Sequence, residues 1–173
     1  MKTYGGTPTE DRRSSSAART RKRVGIADFA VTTDGAVLTT SGLGSCLGVA
    51  LHDERAGVAG LIHVMLPTAP DDPPNVAKYA DTGIDALLTA MAAEGATPGR
   101  VRAKLAGGSA MFEFDSQDEP IGERNVAVTR ATLDRLGVPV DATDVGGDAG
   151  RSLRFYGDTG ELRIKSAGDE RRL

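Results

Sequence analysis

The chain contains one cysteine, Cys46, and two histidines, His52 and His63. A thiol attacks a carbonyl carbon once a neighbouring base removes its proton, and imidazole is the side chain best suited to that near neutral pH. Cys46 ends the run Gly42-Leu43-Gly44-Ser45-Cys46. Glycines there permit positive φ and a close approach by a substrate backbone. A tight glycine turn also leaves backbone N–H groups facing outward, where they can hold the oxyanion formed on an attacked carbonyl. Gly44 and Ser45 are therefore the candidate oxyanion and substrate-binding positions. The plainer readings are an inert core thiol and a satisfied structural histidine.

The intervening elements decide between these readings. Leu47 to Leu51 alternates Gly or Ala with larger apolar residues and suits a buried strand. Asp53-Glu54-Arg55-Ala56-Gly57 is a turn, and Val58 to Leu66 returns as a second strand carrying His63, stopped by Pro67. If the two strands pair about that turn, Cys46 at the start of one meets His63 near the finish of the other. Such a pair allows a thiolate–imidazolium couple with a lowered thiol pKa. A third group should orient the imidazole. Thr39, Thr40, Ser41, Asp28 and Asp53 are the candidates, and spacing does not choose among them.

Other chemistries are poorly served. One cysteine excludes an internal disulfide and a multi-thiolate zinc site, and two histidines leave little for a multi-histidine metal site. Gly107-Gly108 and Gly146-Gly147 lack the flanking residues of a phosphate loop or a dinucleotide fingerprint, so they mark turns. No cofactor and no metal are expected. Arg124 and Arg151 default to solvated surface.

The 173 residues have room for one domain of ordinary size. Aromatics are only 4% of the chain and Gly contributes 22 residues, so the core must come from Val, Leu, Ile and Ala between tight turns. Strands are expected at Val24 to Val31, Ala36 to Thr40, Val101 to Ala106, Val138 to Val145, Leu153 to Tyr156 and Glu161 to Ile164. Helices are expected at Lys78 to Glu94 and at Gly122 to Leu136, with Val126, Val128, Leu133 and Leu136 as the apolar positions of the second. Residues 67–75 and 113–120 read as loops. Strands outnumber helices and are mostly hairpin-linked, which points to an α+β fold: mixed and antiparallel sheets in a sandwich-like core, flanked by two or three helices.

Net charge is −3, but residues 1–23 hold seven basic side chains against Glu10 and Asp11. The remaining body is mildly acidic, which argues against a nucleic-acid groove. Residues 1–22, polar and Ser-rich, read as a disordered basic extension, and 167–173 as a flexible tail. No apolar stretch reaches membrane-spanning length, so no membrane insertion is expected. Arg12-Arg13 is not followed by the apolar region of an export signal, so a cytoplasmic location is expected.

Taken together, Gly42-Leu43-Gly44-Ser45-Cys46 and His63-Val64-Met65-Leu66-Pro67 resemble the CheD family of chemoreceptor glutamine deamidases. Lys78-Tyr79-Ala80-Asp81, Gly107-Gly108-Ser109-Ala110-Met111-Phe112, Ile121-Gly122-Glu123-Arg124-Asn125 and Gly146-Gly147 through Gly150-Arg151-Ser152 extend the resemblance over roughly residues 24–165. It implies a deamidase domain over residues 23–166, similar in fold to toxin-type cysteine deamidases. It implies a Cys46–His63–Thr40 triad and a protein-glutamine glutaminase activity that converts selected glutamines of methyl-accepting chemotaxis receptors to glutamate. It implies a partner too, the CheY-phosphate phosphatase CheC. Asp148 stands where the family often has Asn, Ser41 where an apolar residue is common, and the basic N-terminal extension exceeds the family core. The rival readings are a binding module that acts chiefly on CheC, and a general cysteine protease or transglutaminase.

Overall fold

In the computed structural model, residues 19–110 and 118–173 are described. Residues 113–117 of the expected loop at 113–120, and Met111-Phe112 of the Gly107–Phe112 motif, fall outside them. So does most of the expected disordered extension.

The chain opens with two short strands, β1 (Arg21–Arg23) and β2 (Phe29–Thr32), and a longer one, β3 (Val37–Leu43). They are followed by β4 (Leu47–Asp53) and β5 (Val58–Val64), helix α1 (Ala80–Ala93), β6 (Arg102–Gly107) and helix α2 (Ile121–Arg135). The chain ends with β7 (Val140–Val145), β8 (Arg151–Tyr156), β9 (Leu162–Ser166) and β10 (Asp169–Arg172). The strands form two sheets, β2-β5-β4-β6-β7 and β1-β3-β8-β9-β10. Both are mixed, because β1 runs parallel to β3 and β7 parallel to β6. This is the expected α+β sandwich with two α-helices.

The layers follow from side-chain alternation. In β4, Leu47, Val49 and Leu51 join a core with Ile84, Leu87, Leu88 and Met91 of α1. The alternate residue Ala50, with Ala59 and Leu61 of β5, packs instead against Leu38, Leu153, Phe155, Leu162 and Ile164 of the other sheet. The first sheet is thus a middle layer covered on both faces. That is why β5 is buried at every residue and reads as one apolar run. Each such Leu or Ile contributes about 1.5–3 kcal/mol by leaving water.

The structure corrects three expectations. Arg21–Arg23 pair with Val37 to Thr39, so part of the expected disordered extension is an edge strand. Asp169–Arg172 pair with Arg163 to Ser166, so the expected flexible tail carries β10. A four-residue strand of charged residues has no apolar signal to betray it, and pairing with β9 supplies its backbone hydrogen bonds. In α2, Val126, Val128 and Leu136 are only partly buried, whereas Asn125, Thr129 and Thr132 lie inside with Leu133. Polar residues on the inward stripe hid the true face from a hydrophobic count.

Candidate active site

β4 and β5 pair antiparallel about the Asp53–Val58 turn, with Gly48 directly opposite His63. Cys46 lies two residues before Gly48 and so shares its face. It packs against the inter-sheet core as a half-buried thiol. His63 points into the same space and is 0% exposed. Gly48 makes room for Leu153 of the other sheet, whose side chain a Cβ there would meet.

The other sheet supplies the third group. Leu38 of β3 faces the inter-sheet core, so Thr40, two residues on, faces it too. Thr40 Oγ1 lies 2.8 Å from His63 Nδ1 and 2.8 Å from the Val24 carbonyl. A hydroxyl has one proton, and the Val24 carbonyl can only accept it. Oγ1 therefore accepts from Nδ1–H, and the imidazole carries its free lone pair on Nε2. That nitrogen is buried and has no hydrogen-bond partner among the described residues.

The remaining candidates for this position are otherwise engaged. Asp28 accepts from its neighbour Phe29 N–H at 2.8 Å. Asp53 lies at the far end of the hairpin, where it accepts from Ala56 N–H, Thr97 N–H and the Arg100 guanidinium. Ser41 is exposed, and Thr39 stands in register with Arg23 and Arg154 on the opposite face from Thr40.

The electrostatics differ from the expected ion couple. Burial raises the Cys46 thiol above its usual value, opposed only by the residue's own N–H. Burial lowers His63 to about 4. Burial thus favours the uncharged form of each group.

Three carbonyls of the Cys46 loop are turned into the protein and held there. Gly44 C=O accepts from Ser109 N–H at 2.8 Å, Ser45 C=O from Asn125 Nδ2 at 2.8 Å, and Cys46 C=O from Gly108 N–H at 2.8 Å. In a trans peptide the N–H points opposite to the C=O. Fixing the Gly44 and Ser45 carbonyls thus turns the N–H groups of Ser45 and Cys46 away from Ser109 and Asn125. Neither amide has a backbone acceptor among the described residues. Two glycines make this loop possible. Gly42 takes φ +72°, whereas Gly44 does not need positive φ. Gly107 takes φ +119°, and a Cβ there would run into the Cys46 carbonyl.

Sequence reasoning noted Asn125 only as part of a motif. It is 0% exposed, and its Nδ2 also donates to Met65 C=O at 3.0 Å, tying the Cys46 loop to the end of the His63 strand. Its spacing to Thr129 and Leu133 on one helical stripe is the signal that could have revealed it. Arg151 is likewise buried rather than solvated. It donates to Gly107 C=O at 3.3 Å and Gly146 C=O at 2.9 Å and lies 3.4 Å from Asp144.

Among the described residues, no three His, Cys, Asp or Glu side chains are grouped to hold a metal ion. No helix among them is long and apolar enough to cross a membrane.

Comparison with known proteins bears on this arrangement at the levels of sequence and fold. A family model described as CheD chemotactic sensory transduction matches residues 65–166, beginning just after His63. A Haloarcula marismortui protein named probable chemoreceptor glutamine deamidase CheD is 53% identical over 168 residues, 96% of each chain. One from Caldanaerobacter subterraneus with the same name is 49% identical over 150 residues, covering 84% of this chain and 93% of its own. The Halalkalibacterium halodurans chemoreceptor glutamine deamidase CheD is 43% identical over 149 residues, 83% and 92% of the two chains. Among solved structures, Neisseria meningitidis protein NMB0706 of the DUF152 family shares the fold at TM-score 0.50 and 17% identity, over 79% of this chain and 66% of that one. With over half of the chain inside the family match, and the Haloarcula relative aligned along nearly its full length, the chain belongs to the CheD family.

Proposed function

We propose that the protein hydrolyses the side-chain amide of glutamines on methyl-accepting chemotaxis receptors, releasing ammonia and leaving glutamate. The names of its relatives support the reaction and the substrate class. The observation that supports the mechanism is the His63 Nε2, without a partner among the described residues and oriented by Thr40, on the strand opposite the one that Cys46 leads into.

As Cys46 Sγ bonds to the amide carbon, Nε2 takes the thiol proton. Neutral partners become an ion pair only while the substrate is being attacked. The oxyanion is held by the N–H groups of Ser45 and Cys46. The imidazolium then gives its proton to the departing nitrogen, the C–N bond breaks, and ammonia leaves a thioester. Water adds to the thioester carbon while Nε2 takes its proton. Cys46 sulfur leaves, is reprotonated, and glutamate is freed. Thr40 keeps accepting from Nδ1–H throughout, and stabilises the imidazolium as it forms.

The test uses a cytoplasmic receptor fragment carrying glutamines at its modification sites. Ammonia should appear with a one-dalton gain per converted site, and a fragment with glutamates there should release none. Absence of both signals with the glutamine fragment contradicts the reading.

We place this activity in the cytoplasm and infer a regulatory complex with the CheC phosphatase, on the strength of the family resemblance. If the protein acts chiefly through CheC, the Cys46→Ala protein should stimulate the phosphatase as fully as the parent does.

A further inference from the structure

We propose that the outward face of the β1-β3-β8-β9-β10 sheet docks the acidic segment flanking the target glutamine. The inference rests on the deamidase reading above and names the chemistry that selects its substrate. Leu38, Leu153, Phe155, Leu162 and Ile164 turn inward, so the residues between them turn outward. The register then lines up a cationic row across the sheet: Arg23 opposite Thr39, Thr39 opposite Arg154, and Arg154 opposite Arg163. Lys165 and Arg21 flank this row around a cavity of about 320 Å³ that also contains Ser41 and Ser152.

Like charges directly opposite across strands destabilise a sheet. Arg154 and Arg163 are such a pair. Compensation is partial: Glu161 pairs with Arg163 at 2.6 Å, and Glu170 stands opposite Lys165 in register. Among the described residues, Arg21, Arg23, Arg154 and Lys165 have no ion pair within 4 Å. The chain as a whole carries net charge −3, so this face runs against the background rather than with it.

The face is continuous with the candidate active site. β3 places Thr39 and Ser41 on the cationic side and Thr40 on the His63 side, then bends at Gly42 toward Cys46. A segment lying along β3 can therefore present a glutamine to Cys46 while its carboxylates meet the arginines. Each glutamine converted adds a further carboxylate to the partner, so the match improves as the reaction proceeds. Single-stranded nucleic acid is less favoured, since it needs open aromatic platforms. Tyr156, the aromatic on this face, is already covered by Arg19 and Arg163.

The test measures binding of two labelled peptides to the full-length Cys46→Ala chain, one with a glutamine flanked by glutamates, the other flanked by serines. The acidic peptide should bind tighter by roughly tenfold at low salt, an advantage that shrinks at high salt. Arg23→Glu with Arg154→Glu should remove that advantage, whereas Arg130→Glu with Arg135→Glu, an equal charge change on exposed α2 surface, should not. If the reversal prevents folding, Arg23→Gln with Arg154→Gln reads the same effect. Equal affinity for both peptides, indifference to the substitutions, or equally tight binding of duplex DNA or anionic vesicles overturns the proposal. With the parent enzyme, selective binding without turnover of either peptide refutes the deamidase reading alone. Equal turnover of both refutes the docking face alone.

Discussion

The two ends of the β4–β5 hairpin treat their fully buried polar side chains, Asp53 and His63, in opposite ways. At the turn end Asp53 is 0% exposed and accepts from two backbone N–H groups and a two-pronged Arg100. At the open end His63 is equally buried, yet one ring nitrogen has no partner. Ser109 Oγ, Asn125 Oδ1 and Thr129 Oγ1, which come from the segments around that end, also lack a partner among the described residues, as does His52 Nε2 beside the turn. A buried polar group left unpaired costs roughly 1–3 kcal/mol. Asp53, fully paired, stabilises the fold; His63 keeps one ring nitrogen ready for something outside the chain.

The largest expected effect is on turnover at the open end. His63→Gln keeps a polar side chain but removes the base, and should lower the deamidation rate by about 10²–10⁴-fold. Its thermal midpoint should stay close to the parent's, since the lost nitrogen was unpaired. Calorimetry beside an ammonia assay checks both. Asp53→Ala should do the reverse. It leaves the Arg100 charge and two N–H groups without their acceptor, and should cost roughly 3 kcal/mol in denaturant unfolding. The fraction that remains folded should deamidate at the parent's rate.

Thr40 makes a finer distinction. Thr40→Val keeps the shape but removes the acceptor for Nδ1–H. The free tautomer should appear in imidazole nitrogen chemical shifts, with activity falling by roughly 10–100-fold, a range typical of losing an orienting partner. Thr40→Ser should recover most of it. An unchanged tautomer in Thr40→Val refutes the orienting role.

The smallest effects separate the two ends by pH. His63 sits near 4 in the fold and near 6.5 when unfolded, through burial. The unfolded chain therefore takes the proton first, so stability from this group is complete above about 6.5 and lost as pH falls toward 4. His52, also lowered by burial, acts in the same direction. Asp53 behaves differently. Burial raises it, but the Thr97 and Ala56 N–H groups and Arg100 outweigh burial and leave it below 3.8. Its contribution survives until the pH drops below that value. His63→Gln should flatten part of the unfolding profile between 6.5 and 4, whereas Asp53→Ala should alter it only below about 3.8.

Much of the open end was legible beforehand. Strand alternation, the Asp53–Gly57 turn and the glycine run located Cys46 and His63 on meeting strands, because these are local signals. Thr40 was not separable from Thr39 or Ser41 by spacing, since the choice depends on which face of β3 turns toward the other sheet. Asn125 and Arg151 went unread for a related reason: both are polar residues buried by long-range packing, where patterning expects apolar ones. The charged strand β10 and the uncharged forms favoured at Cys46 and His63 follow from pairing and burial, which no sequence window contains.

The most direct test of the Cys46–His63–Thr40 account is the intact mass of a glutamine-bearing receptor fragment after incubation with the parent enzyme or with Cys46→Ala. The account predicts a one-dalton gain per modified site with the parent and none with Cys46→Ala. Equal gains with both proteins contradict it.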